Sequence, residues 1–501
     1  MQPIPPDPNR ADGVARPTAA PLRRAGGIKG GALNGAALAL LLLLGACAPD
    51  LGDKPMPQDP ANFATADSFK APSADWPKQD WWKSYGDPQL DALIEEALKD
   101  SPSLKAAAAR VRAAEAEAGI AEADLWPTLN ASGQLQEYEL SSNQMGKSFR
   151  AVMPKGWHHM ASLSAGLSYE LDLFGKNRAA LAAATSSAEA VKADEAEARL
   201  QLSTAVATVY ADLVQLYAER DLAAEAVQQR KQSAELVRQR FDHHLESEAE
   251  LAQAEAQVSS ALTQADIVER LIANTRNQLA ALLGKGPDRG LAITPPAQAA
   301  VLKSAGLPPH LAADLVGRRP DIVAARKRAE AAASGIDVAN ANFYPNVDLV
   351  GNFGVMTLDA KTLLTASSET GSFGPAITLP LFDYGRLTGA YTKARADYDA
   401  AVAAYDMTLT DALRDVANAY TNRRSTDTEL MHARDTLASA NKSYAVVKAR
   451  YGNGLARYID VLSAETSLIQ QRRTVADLEA NAFASDVALV RALGGAAIKN
   501  N

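Results

Sequence analysis

Alternating apolar and polar residues mark four short segments of the chain. The clearest runs from Met160 to Phe174, where Leu, Ala and Tyr fall on one side and Ser, Gly and acidic residues fall on the other. A period of two residues predicts a β-strand with one apolar and one polar face. The pattern recurs more weakly in segments that contain Leu129, Val347 and Ile377. The sequence therefore predicts two strand pairs, 128–174 and 346–382.

Two interpretations of these strands fit the alternation: a soluble hairpin on a core, and part of a transmembrane barrel. Four strands cannot close a barrel, because the smallest barrels have about eight. Open sheet edges are not tolerated in lipid. Strands that span a membrane would therefore require the chain to oligomerise, and a trimer of four-stranded chains would supply twelve strands.

Long stretches without proline follow each strand pair, over residues 175–241 and 384–451. At about 1.5 Å per residue, each would form a helix of roughly 100 Å. Apolar residues three and four apart predict a coiled-coil seam, formed by Val206, Val209, Leu213 and Leu216. Each long helix should then turn and return, over 248–283 and 457–493. Such helices also suit a stalk or scaffold, but that alternative leaves the paired strands unexplained.

The chain contains an internal two-fold repeat. Leu171 to Phe174 recurs as Leu379 to Phe382, 208 residues later, and Arg240-Phe241 recurs as Arg450-Tyr451, 210 residues later. A repeat of this length predicts two units that pack against each other. The first copy is 81–286 and the second is 310–494, each with a short helix, a strand pair and a long helix pair (175–283 and 384–493). A linker, 287–309, joins them, and 495–501 form a tail.

The N-terminus has the features of an export signal. Arg23, Arg24 and Lys29 precede the apolar run Ala36–Leu44, which is too short to span a membrane as a helix. Residues 1–46 are therefore predicted to be a signal peptide. Residues 47–80 are predicted to be an acylated N-terminus and a Pro-rich extended linker.

The single cysteine, Cys47, ends the segment Leu44-Gly45-Ala46-Cys47. This segment resembles the lipobox of bacterial lipoproteins. The resemblance implies cleavage before Cys47 and its attachment to outer-membrane lipid through diacylglycerol and an N-acyl chain such as palmitate. A non-lipidated signal with an incidental cysteine is the alternative. Twin-arginine export from Arg23-Arg24 is a further one, although the rest of that motif is missing.

Composition and motifs exclude several classes of function. The net charge of −8 argues against a nucleic-acid partner. His243-His244 lie near carboxylates, which is compatible with a metal site, but neighbours in sequence point to different sides of a helix, so surface histidines are favoured. The sequence offers no nucleophile–base pair, phosphate loop or metal cluster. We therefore expect no enzyme, no metal and no cofactor beyond the acyl chains.

Several motifs in order are similar to the TolC-like family of outer-membrane efflux proteins, in its NodT-type lipoprotein branch. They are Trp81-Trp82-Lys83 with Tyr85-Gly86-Asp87-Pro88-Gln89-Leu90, Arg319-Pro320-Asp321-Ile322, Leu379-Pro380-Leu381-Phe382 with Gly385-Arg386, and Tyr451, Gly454, Asp460, Val461 and Leu462.

The resemblance implies an α+β membrane protein in the Gram-negative outer membrane. It would be a homotrimer whose four transmembrane strands per chain complete a 12-stranded β-barrel, above a coiled-coil helical tunnel in the periplasm. The tunnel would dock on a periplasmic adaptor and an inner-membrane RND-type pump, and would passively export drugs or other small molecules. A type I protein-secretion duct and a poreless periplasm-spanning structural lipoprotein are the alternatives.

The family also suggests roles for the two helix–helix turns. In the second copy, Asp460 matches an acidic position of the periplasmic constriction, where a trimer would place three carboxylates that attract cations. Ser463 stands at the second such position, which implies a single acidic ring; an ordinary solvated Asp460 is the alternative. Arg457, Tyr458 and Tyr451 are candidates for holding the tip shut. Adaptor contact is predicted at Phe241, His244, Glu246, Gly452 and Gly454.

Overall fold

The structure is a computed structural model, and it describes residues 49–139, 141, 155–296 and 306–495. The signal peptide, Cys47 and the tail from residue 496 lie outside the described residues. The helices are α1 (Pro88–Asp100), α2 (Pro102–Ala123), α3 (Lys176–Asp242), α4 (Glu248–Leu282), α5 (Asp288–Leu291), α6 (Leu311–Arg318), α7 (Pro320–Ala341), α8 (Arg386–Gly452) and α9 (Tyr458–Ala492). The strands are β1 (Thr128–Glu139), β2 (Trp157–Glu170), β3 (Asn346–Thr357) and β4 (Glu369–Thr378).

The short helix expected before each strand pair is in fact two helices. The chain breaks at Ser101-Pro102 between α1 and α2, and at Arg319-Pro320 between α6 and α7. Proline suits the first position of a helix, where its missing N–H costs nothing, and it favours extended backbone in the residue before it. Ser101 and Arg319 are accordingly extended, with ψ of 129° and 121°.

The four strands form one antiparallel sheet in the order β1-β2-β3-β4. Its register places the alternating apolar residues predicted from the sequence on one face, so that Leu129 pairs with Leu167, Ala165 with both Ala131 and Phe353, and Gly351 with Phe373. Val350 and Met356 of β3 lie on the other face. The predicted alternation is therefore confirmed in phase for all four strands. The strands end at Glu170 and Thr378, a few residues before the predicted Phe174 and Phe382.

The two copies have matching helices. The long helices α3 and α8 both have 67 residues, and the returning helices α4 and α9 both have 35. Gly175 and Gly385, both left-handed (φ 78° and 85°), precede the long helices. The structural offset here is therefore 210 residues, so the second copy has two extra residues after the repeated Leu-Phe motif. The four residues of the predicted seam lie in the core: Val206, Val209 and Leu213 are buried, and Leu216 packs against the same cluster.

The family motifs make structural contacts between elements. The Arg319 guanidinium binds both carboxylate oxygens of Asp321, at 3.0 and 2.6 Å, and donates to the Ala492 carbonyl at 3.0 Å. It therefore caps the end of α9. The Tyr85 hydroxyl donates to Asp486 of α9 at 2.6 Å, and the Asp87 side chain caps α1. Arg319 and Tyr85 therefore fix the segments next to α7 and α1 to the C-terminal part of α9.

The segment after Cys47 lies along α8. Arg395, a buried arginine of α8, donates to the Gly52 carbonyl at 3.1 Å and also to that of Asp53. Further along, the Tyr398 hydroxyl donates to Pro55 at 2.9 Å. We call residues 50–58 the strap. Among the helices described, none is long and apolar enough to cross a membrane.

Candidate functional site

The two turns between long helices have the same backbone, although their sequences differ. In the first, His244 is left-handed (φ 60°) and its N–H bonds the Phe241 carbonyl at 2.8 Å; in the second, Gly454 (φ 74°) bonds Tyr451 at 2.9 Å. Glycine adopts this conformation freely, whereas histidine is one of the few side chains that tolerate it. The glycine pattern missing from the first turn therefore does not change its shape.

Asp460 lies at the start of α9, where its carboxylate has a structural partner. Its Oδ2 accepts the Arg457 backbone N–H at 2.9 Å, as Glu250 accepts that of Ser247 in the first copy. Asp460 is partly exposed and Ser463 is exposed. Because these two residues are three positions apart, they share one helix face. The Arg457 side chain is largely exposed and lies 3.8 Å from Asp460.

Tyr451 joins the two turns. Its hydroxyl donates to Glu246 Oε1 at 3.0 Å, and the same oxygen accepts from Arg240 Nε at 3.0 Å. The Arg240 guanidinium also stacks on the Tyr451 ring, 4.8 Å from its centroid. Burial, together with the Glu246 carboxylate, raises the pKa of Tyr451, so that its hydroxyl stays protonated and donates.

A buried layer lies directly above this contact. Tyr458 packs on Tyr451 with ring centroids 6.2 Å apart, among Val237, Val461, Leu462 and Leu468. Within the layer, Glu465 of α9 lies 3.3 Å from Arg230 of α3. Sequence reasoning gave neither residue a role, although the repeat of Ala254-Glu255 as Ala464-Glu465 pointed to the position.

The apex of each turn is exposed. His244, Gly452 and Gly454 are open to solvent, whereas Phe241 and Glu246 are partly buried. Leu245 and Leu455, at equivalent positions after the left-handed residues, are 63% and 68% exposed. Sequence reasoning missed these two leucines because single apolar residues in a polar turn carry no periodic signal.

Both copies of the repeat match a known protein family. The sequence model of the family described as "Outer membrane efflux protein" matches residues 93–285 and 311–495, one segment in each copy. The fusaric acid resistance protein FusA of Burkholderia cepacia is 39% identical over 373 residues, covering 73% of this chain and 70% of FusA. The multidrug resistance outer membrane protein MdtP of Escherichia coli is 29% identical over 441 residues, covering 87% of this chain and 90% of MdtP.

Solved structures agree. The outer membrane protein VceC of Vibrio cholerae has a TM-score of 0.79 and 38% identity, covering 84% of this chain and all of VceC. The family match, the relatives and the solved structure agree with the helical tip and the apolar-faced sheet. The chain therefore belongs to the outer membrane efflux proteins and is the outer-membrane channel of an efflux system.

Proposed function

We propose that this chain forms a homotrimeric, passive duct for drugs or other small molecules delivered by an RND-type pump and a periplasmic adaptor. The sheet carries the proposal. Its apolar face is open in the single chain, with Leu135 72% and Phe373 61% exposed, and β1 and β4 are edge strands. Because neither an apolar face in water nor an open edge in lipid is stable, further copies in a membrane are needed.

Strand length and aromatic placement support a membrane position. Twelve residues of β1 extend about 40 Å, enough for a tilted crossing of a membrane. Trp126 precedes β1 and Trp157 begins β2, so the two exposed rings lie at opposite ends of the hairpin. Tryptophan is enriched at both membrane interfaces.

The internal repeat indicates how three chains close. In the second copy α7 packs on both α3 and α8, whereas its first-copy equivalent α2 packs on α3. By the same geometry, the other side of α2 suits the α8 of a neighbouring chain. The β4 edge would likewise pair with a neighbouring β1, as β2 pairs with β3 within the chain.

A lipid anchor at Cys47 fits the strap. Arg395 holds Gly52 only nine residues after α8 begins, close to the sheet. Gly52 is five positions after Cys47, and an extended chain of that length reaches at most about 17 Å. Acylation at Cys47 would therefore act beside the membrane end of the molecule.

The turns suit two further roles. We assign adaptor contact to their exposed apices, supported by the partly buried Phe241 and Glu246. The apices contain His244, Leu245, Gly452, Gly454 and Leu455.

We assign the constriction to Asp460 and Ser463, where the Asp460 carboxylates would form a single acidic ring around the three-fold axis. Tyr451 and Tyr458 would hold the inner turn on the outer one. Arg457 would contribute only through its contacts with Asp460 in the same turn.

The relatives favour small molecules over the protein-secretion alternative, because one is named for fusaric acid resistance and one for multidrug resistance.

Conductance in planar bilayers tests whether the protein forms a duct. The purified trimer should form small, cation-preferring channels, and Asp460→Ala should conduct more. Preparations that are inserted yet silent would favour the poreless structural lipoprotein instead.

A further inference from the structure

Glu465 is a carboxylate without access to solvent, two helical turns into α9. Its side chain is 0% exposed in the single chain, so its burial does not depend on a partner copy. Oε2 lies 3.3 Å from Arg230 Nη1, and Oε1 has no hydrogen-bond partner among the described residues. Of the ion pairs that join α3 and α9 among the described residues, this is the one whose side chains are both buried.

The pairing is poor for a buried charge. Hydrogen bonds between a guanidinium and a carboxylate are normally about 2.7–2.9 Å, and a buried ion needs its remaining lone pairs satisfied to offset the loss of water. Glu465 has one long hydrogen bond, through Oε2, and its Oε1 has no hydrogen-bond partner among the described residues. Its negative charge therefore weakens the contact of α9 on α3, because separation would hydrate the carboxylate.

The neighbours of Glu465 tolerate the loss of its charge. Arg230 donates separately to Thr466 Oγ1 at 3.0 Å, and its charge also acts on the nearby Tyr458 hydroxyl. Lys448 of α8 is the other cation that acts on the carboxylate. α4 contributes the buried Ala254 and the partly buried Leu251 to this layer, and neither is charged. A neutral Glu465 thus leaves Arg230 with partners.

We propose that Glu465 is a proton-sensitive clasp: proton uptake tightens the contact of α9 on α3 at the tip, and proton loss loosens it. The inference rests on the proposed function, since this contact positions the turn that carries Asp460. Burial raises the pKa of Glu465, and the opposing effects of Arg230 and Lys448 are smaller. The folded tip therefore holds the proton more tightly than the unfolded chain.

Single-channel conductance should be compared at neutral pH and at about pH 5, near the carboxyl range. Asp460→Asn serves as the background, because a ring at Asp460 would also titrate. The open probability of this variant should fall about tenfold on acidification, which corresponds to about 1.4 kcal/mol in favour of the closed tip. Adding Glu465→Gln should give a low open probability at both pH values.

Glu225→Gln is the matched control. Glu225 pairs with Arg472 at 2.6 Å between the same two helices, but the pair is exposed. Surface pairs contribute little, so the pH response should stay. An unchanged response in the Glu465→Gln variant would overturn the clasp.

Thermal melting tests the clasp without a pore. Glu465→Gln should melt above its parent at neutral pH, and the difference should close at about pH 5. A lower melting temperature, or failure to fold, would overturn the proposal. Normal melting behaviour with no conductance from any inserted variant would instead refute the duct.

Discussion

The Tyr451 hydroxyl lies 3.0 Å from Glu246 Oε1 and so connects residues 205 positions apart in the chain. One belongs to the second-copy turn and the other to the first-copy turn. Because Glu246 also binds Arg240, the contact joins a ring, a carboxylate and a guanidinium at the tip. Opening of the inner helix pair away from the outer pair would have to break it.

We expect Tyr451→Phe to loosen the tip. The ring is kept, but Glu246 loses a donor, and a hydrogen bond to a charged group contributes about 1.5–3 kcal/mol. Bilayer conductance should rise and the melting temperature should fall slightly. Tyr398→Phe is the control, because it removes a hydroxyl bond from the same long helix to the strap, away from the tip. Equal conductance of both variants and the parent would contradict the role of Tyr451.

Asp460→Asn separates the charge of Asp460 from its capping role. An asparagine oxygen can still accept the Arg457 N–H, so α9 should keep its first turn and its stability. If three Asp460 carboxylates surround the axis, the preference for cations should fall, as measured by reversal potentials in a salt gradient.

Glu250→Gln provides the comparison for Asp460, because Glu250 has the same capping position in the first copy. It should leave the ion preference unchanged. If both variants change selectivity equally, Asp460 is an ordinary surface charge.

The sequence determines the strands more fully than the tip. A period of two fixes which face each strand residue occupies, and Leu163 and Phe353 lie on the predicted face. The break at Ser101-Pro102 was missed because helical spacing continues through it. The contact between Tyr451 and Glu246 has no local signal, since it depends on how two distant turns pack.

The repeat predicts the register between neighbouring chains. Within the chain, Gly166 of β2 pairs with Asn352 of β3. An offset of 210 also relates β2 to β4, because Thr128 pairs with Ser168, and Asn346, 218 residues after Thr128, pairs with Thr378. Adding 210 to Gly166 and subtracting 218 from Asn352 gives Ala376 of β4 and Gln134 of β1. Cysteines at these two positions should cross-link chains into trimers, because directly paired strand residues lie within disulfide distance.

The matched control for this register replaces Gln134→Cys with Ser132→Cys, a slip of two residues. It should cross-link much less on a denaturing gel. Preferred linkage through Ser132 would mean that the sequence offset of 208 governs the interface. Absence of any linked trimer from either pair, in inserted protein, would contradict the proposed closure.

Leu245→Ser and Leu455→Ser together should weaken adaptor binding without unfolding the tip. Both side chains are mostly exposed in the free chain, so the folded state loses little apolar contact. At an interface, each leucine could bury a side chain worth about 1.5–3 kcal/mol, and affinity should fall at least about tenfold. Surface plasmon resonance with the adaptor of its own efflux system measures this.

Leu262→Ser is the matched control for the tip leucines, since Leu262 is an exposed leucine of α4 away from the turn. It should bind the adaptor as the parent does. If Leu262→Ser weakens binding as much as the double variant, the adaptor contacts the sides of the helices. If neither the control nor the double variant weakens binding, the adaptor would contact His244, Gly454 and the turn backbone instead. The left-handed turns expose these groups beside the two leucines.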